Sequence, residues 1–170
     1  MSLAPLLEAG PAVQIHASTA IAAFLIGALV LWRDKGTKLH KALGRSWVVL
    51  MLVVATSALF INDIRMIGPF SPIHLFVITT YVGIAQGMWA IIVNRDVVAH
   101  RAAMRGTYVG GLLLAGAFTF LPGRRMHAVL FGADAGWTPS LIVIGVALAT
   151  TGYLWLRGRP RAAPMLRLKR

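Results

Sequence analysis

The feature that most constrains this chain is a series of long stretches without a single Asp, Glu, Lys or Arg. They run from Ala9 to Trp32, Ser46 to Asn62, Met66 to Asn94, Gly106 to Gly123 and Ala135 to Leu156. The hydrocarbon core of a bilayer takes about 20 apolar residues as helix, with a range of roughly 17 to 25. The shorter second and fourth stretches extend at their basic ends, where Lys and Arg reach the interface along their aliphatic stems. Lipid offers a backbone amide no water to bond, so only helices and closed barrels cross it. These segments are continuously apolar rather than alternating, which argues against a barrel. The expected fold is therefore all-α: one transmembrane bundle of five helices, at about 11–34, 38–62, 71–94, 98–121 and 138–157, with a basic tail over 158–170.

Local signals punctuate the spans. Pro11 suits the first turn of helix one, which stops near Asp34-Lys35-Gly36, and Thr37 can cap helix two. Gly68-Pro69-Phe70-Ser71-Pro72 reads as a turn, with Ser71 or Pro72 opening helix three. Leu121-Pro122-Gly123 ends helix four and Thr138-Pro139 opens helix five. The start, MSLAPLLEAG, lacks the positive region and small-residue cleavage site of a signal peptide, so the first apolar segment is read as a retained helix.

Charge gives direction. The net charge of +12 would suit nucleic acid, but the basic residues sit in short blocks between apolar segments and form no basic face with interleaved aromatics. They read instead as a topology signal. Arg33, Lys35, Lys38, Lys41 and Arg45 lie between helices one and two, and Arg95, Arg101 and Arg105 between three and four. Arg157, Arg159, Arg161, Arg167, Lys169 and Arg170 follow helix five, whereas the other side has only Arg65, Arg124 and Arg125. The amino terminus is expected outside and the tail inside, resting on anionic lipid headgroups. The chain has no cysteine, which excludes disulfides and thiolate chemistry.

Aligning the two inner loops yields a parallel repeat. His40-Lys41-Ala42-Leu43-Gly44-Arg45 answers His100-Arg101-Ala102-Ala103-Met104-Arg105, and Ile15-His16 answers Ile73-His74. First and second histidines are 24 residues apart in one copy and 26 in the other, about one crossing each. Helices one and two thus look like a duplicate of helices three and four, with helix five added.

No charged residue sits in mid-span, which disfavours an ion or proton pathway. Histidine is the chemistry on offer. The repeat puts His16 and His74 near the outer surface and His40 and His100 near the inner one, roughly 20 to 25 Å apart by helix rise. Two imidazoles facing each other at one depth supply both axial ligands of a b-type haem. Basic residues beside the inner pair, such as Arg45 and Arg105, would pair with propionates. Gly27, Ala28, Gly106, Gly110, Gly111 and Gly116 would permit close packing or room for a macrocycle, with Gly106 and Gly110 also reading as a GxxxG contact. The arrangement is similar to b561-type di-haem cytochromes, in arrangement only. Two alternatives stay open. One is a zinc, copper or quinone-headgroup site at His16, His74 and His127. The other is that all five histidines merely bond headgroups, water or loop carbonyls.

Several segments carry a more specific resemblance. Gln14-Ile15-His16, the run Lys35 to Gly44, Ile64-Arg65, Gly68 to Leu75, His100-Arg101 with Met104, and Phe118 to Arg124 with Met126-His127 together resemble the bacterial predicted membrane proteins grouped as domain of unknown function 2306. The likeness runs from about Gln14 to Gly132. It implies a multi-spanning protein of the bacterial inner membrane and carries no activity. It raises the weight of the five histidines and of Arg65 and Arg124, which fall inside its motifs. Members often carry His where this chain has Asn62, which argues against Asn62 as an obligatory ligand. The functional expectation is a membrane b-type cytochrome-like electron carrier, passing electrons between quinone or a periplasmic redox partner and the cytoplasmic face. The alternative is a non-enzymatic membrane subunit or transporter-like protein binding a ligand at its outer mouth.

Overall fold

The structure, a computed structural model, describes residues 2–61 and 74–158, with side chains as far as 156. All its regular elements are helical. A short α1 (Ala4–Leu7) precedes α2 (Pro11–Trp32), which opens on an extended Gly10 with Pro11 in its first turn. The α2 end is held from beyond: the Lys35 ammonium donates to the carbonyls of Val30, Leu31 and Arg33 at 2.8, 2.6 and 2.8 Å. A cation there satisfies carbonyls that have no helical partner and complements the negative end of the helix. Gly36, at φ +82°, turns the chain. The Thr37 hydroxyl then accepts from the His40 amide at 3.1 Å, opening α3 (Lys38–Ala58) as its sequence signal implied.

After α4 (Leu75–Ile92), Asp96 caps the next helix, accepting from the Val98 and Ala99 amides at 2.9 Å each. That segment, expected as one span, is built in three pieces. They are α5 (Val97–Tyr108), a π-helical turn (Val109–Leu114) and α6 (Ala115–Phe118), running on without a break. Gly110-Gly111 sits in the widened turn, and a Cβ at Gly111 would meet the Thr80 hydroxyl at 2.9 Å and the Met51 methyl at 3.0 Å. A short α7 (Arg125–Phe131) and the long α8 (Trp137–Gly158) follow.

Among the described residues, four helices are individually long and apolar enough to cross a membrane: Pro11–Trp32, Lys38–Ala58, Leu75–Ile92 and Trp137–Leu156. The composite segment from Val97 to Phe118 differs because its first half carries His100, Arg101 and Arg105 and its second half changes helical pitch. Two short helices were not anticipated: α1 and α7 pack against each other. Their contact brings the far end of the composite segment to the same end of the bundle as the start of α2. The GPFSP turn, Asn62, Arg65 and the basic tail beyond 158 lie outside the described residues, as do the expected starting residues of helix three.

Packing is dominated by two antiparallel hairpins, α2 on α3 and α4 on α5, joined along α3 and α4. A Thr56–Tyr81 hydroxyl bond of 2.7 Å crosses that seam. The core consists of Ala23, Trp47, Met51, Val54, Ile84, Tyr108 and Leu112. It depends on close backbone approach: a Cβ at Gly27 would meet the Trp47 indole at 2.5 Å and the Tyr108 ring at 2.6 Å. Outward faces stay apolar, with Leu25, Leu29, Trp32, Leu141, Ile142 and Trp155 exposed. Helices apolar all round belong in lipid.

Candidate functional site

The helix α8 packs on the π turn and α6 but scarcely touches α2. Between α2 and α8 the structure leaves a half-enclosed cavity of about 1190 Å³, floored by the α5–π–α6 segment. Small-molecule pockets run to about 300–1,000 Å³, so this one is large. Along α2 it reaches from Val13 to Leu31 and Trp32, roughly 28 Å by helix rise, with His16 about 22 Å from Leu31. Its middle is apolar, lined by Ala20, Ile21, Phe24, Leu113, Val143 and Ala147. Its charged groups and its histidines gather at the two ends.

At one end stand His16, His74, Arg124 and Arg125. His16 comes from the second turn of α2 and His74 from the residue just before α4. The His16 Nδ1–H donates to the Val54 carbonyl of α3 at 3.0 Å, with the Ser57 hydroxyl 3.2 Å away. A carbonyl can only accept, so Nδ1 carries a proton, and in the neutral ring Nε2 keeps its lone pair. This is the way a protein orients a metal-ligating imidazole. His74 is 9% exposed.

At the other end stand Lys35, Arg101 and Arg105. Loss of solvent, then the Arg101 and Arg105 charges, hold the Lys35 ammonium below the usual lysine range, against the pull of Asp34. Arg105 donates to the Leu154 carbonyl of α8 at 3.4 Å. Tyr108, stacked on Phe24 at 6.0 Å and donating to its carbonyl at 3.2 Å, lies between the two ends. The convergence of Lys35 with Arg101 and Arg105 is a feature the sequence reading missed. The signal was the i, i+4 spacing of the two arginines, which puts them on one helix face.

The other expected site residues fall elsewhere. The His100 Nδ1–H donates to the Gly87 carbonyl at 2.8 Å, and His40 lies within electrostatic range of His100. Neither lines the large cavity. Arg45 is exposed and does not line it either. His127 is 1% exposed, its ring edge-on to Phe131 at 5.4 Å and its Nε2 3.4 Å from the Gly136 carbonyl. It faces α7 and its own following loop rather than the cavity. Among the described residues no three His, Asp or Glu side chains come together to hold a metal. The GxxxG reading also needs correction: a Cβ at Gly106 or Gly110 would meet nothing within 4 Å, whereas Gly27, Gly83, Gly87 and Gly111 are the tight contacts.

A polytopic helical membrane protein with a histidine-bearing cavity is thus the class that fold and site define. The chain belongs to the family described as predicted membrane protein, domain of unknown function 2306, whose model matches residues 13–149. The match takes in more than half of α8, beyond the segments that carried the resemblance in sequence. No curated protein and no solved structure matches the chain.

Proposed function

We propose that the protein is a five-pass b-type cytochrome-like electron carrier of the bacterial inner membrane, with its amino terminus outside and its carboxyl terminus inside. The composite Val97–Phe118 segment is the fifth crossing, and the two hairpins derive from one duplicated unit.

The observation that carries the reading is His16. Its Nδ1–H is committed to the Val54 carbonyl, its Nε2 is not, and it shares a large apolar cavity with His74. That donor set suits a haem b: His16 and His74 would hold its iron, the apolar walls would take the macrocycle, and Arg124 and Arg125 would face the propionates. Bound there, the iron would take up and release single electrons. The chain's own residues hold the ligand rings, exclude water and set the local charge. No catalytic acid or base is required. Electrons would pass between quinone in the bilayer and a redox partner at the outer face.

His40 and His100 do not line the cavity, so the reading commits to iron at the His16 level alone. The test is the visible spectrum of protein purified from haem-sufficient cells. A reduced-minus-oxidised Soret and α-band change, lost in His16→Ala and in His74→Ala, supports it. Their absence from folded protein rejects it.

A further inference from the structure

The inner end of the cavity carries a second, separate chemistry. Lys35, Arg101 and Arg105 converge on it from the α2–α3 turn and α5, and among the described residues none of the three makes an ion pair with a carboxylate. Asp34 is the one acidic group that acts on Lys35, against two arginines. Three cations around one cavity end leave an excess of positive charge beside a low-dielectric wall, where an anion is most favoured. Next to them the wall turns apolar at Ala28, Leu31 and Leu154. The side between α2 and α8 is bridged by few contacts, which leaves a way out toward the bilayer.

We propose that this end of the cavity binds one anionic membrane phospholipid, its phosphate gripped by Arg101 and Arg105, with the charge of Lys35, whose N–H groups are held by α2 carbonyls, beside it. Its acyl chain lies on the apolar wall and leaves between α2 and α8. Phosphate suits the donor set because guanidinium groups grip it with paired N–H bonds. The acyl chain explains why the cations border an apolar trough instead of facing water. The site does not depend on iron at His16, which lies roughly 22 Å away along α2.

Native mass spectrometry of the full detergent-purified chain tests this, whatever its haem content. Offered phosphatidylglycerol and phosphatidylcholine of the same acyl chains, the protein should retain the anionic lipid about tenfold better. The R101Q/R105Q variant should lose that preference, and R45Q, which removes an arginine that does not line the cavity, should keep it. An excess of inorganic phosphate should leave the lipid adduct in place, since the acyl chain contributes to holding it. Equal retention of the two lipids, an unchanged preference in R101Q/R105Q, equal loss in R45Q, or displacement by free phosphate would each overturn the proposal. The R45Q arm separates a local effect from general loss of charge. Thermal melts of both variants show that the comparison is between folded proteins.

Discussion

The Nδ1–H of His100 donates to the carbonyl of Gly87, thirteen residues earlier on the paired helix, at 2.8 Å. His40 stands in the same register to Gly27, another buried glycine thirteen residues earlier. Yet the His40 Nδ1 is buried and makes no such bond. The two hairpins therefore share a sequence pattern but use their second histidines differently, one as a strut between helices and one beside it.

His100→Ala should accordingly cost about 0.6 to 1.5 kcal/mol, the range for one hydrogen bond between helices. His40→Ala should cost less. Unfolding in mixed micelles by added SDS measures both, and an equal loss would show that the strut contributes nothing particular to His100.

The glycines divide sharply. At Gly27 an added methyl runs into Trp47 and Tyr108, and at Gly87 into Met104 and Ala103. Gly27→Ala should destabilise by about 1–3 kcal/mol, as overpacked cores do. Gly110→Ala and Gly116→Ala, with open space around them, should stay within about 0.5 kcal/mol of the parent. Thermal unfolding in detergent gives the ranking; a neutral Gly27→Ala would mean that α2 is not seated against Trp47.

These contrasts show what was legible in the sequence and what was not. The presence of apolar spans was readable because a charge in lipid is costly: each of α2, α3, α4 and α8 overlaps one uncharged stretch, although α3 begins at Lys38, eight residues before its stretch. Caps were readable too, at Pro11 and Thr37, because they depend on neighbours in the chain. The π turn at Val109–Leu114 was not, since a pitch change reflects packing of Gly111 against Thr80 and Met51 from other helices. Pairing of His16 with the Val54 carbonyl, 38 residues on, was hidden for the same reason. The packing of His127 on Phe131 and beside the Gly136 carbonyl was likewise hidden, because its spacing does not reveal those contacts.

His127 is a stability residue under this reading. His127→Ala removes a ring at 1% exposure together with its contact on Phe131, and should cost about 1–3 kcal/mol. Haem content per folded molecule should not change. If His127→Ala instead abolishes haem binding in folded protein, the outer site includes α7 and the assignment to His16 and His74 is incomplete.

The proposed orientation, carboxyl terminus inside, rests on the distribution of basic residues and on the proposed fifth crossing. A green fluorescent protein fused after Arg170 should fluoresce, and alkaline phosphatase at the same point should be inactive. The opposite pair of results would mean that the carboxyl terminus faces out and that the composite segment or another helix does not cross.

The most direct measurement is the reduced-minus-oxidised spectrum of the purified protein beside its His16→Ala and His74→Ala variants. One b-type haem held by both rings gives Soret and α-band changes in the parent, lost from each folded variant. A featureless spectrum from folded parent protein, or bands that survive both substitutions, would contradict haem ligation by His16 and His74.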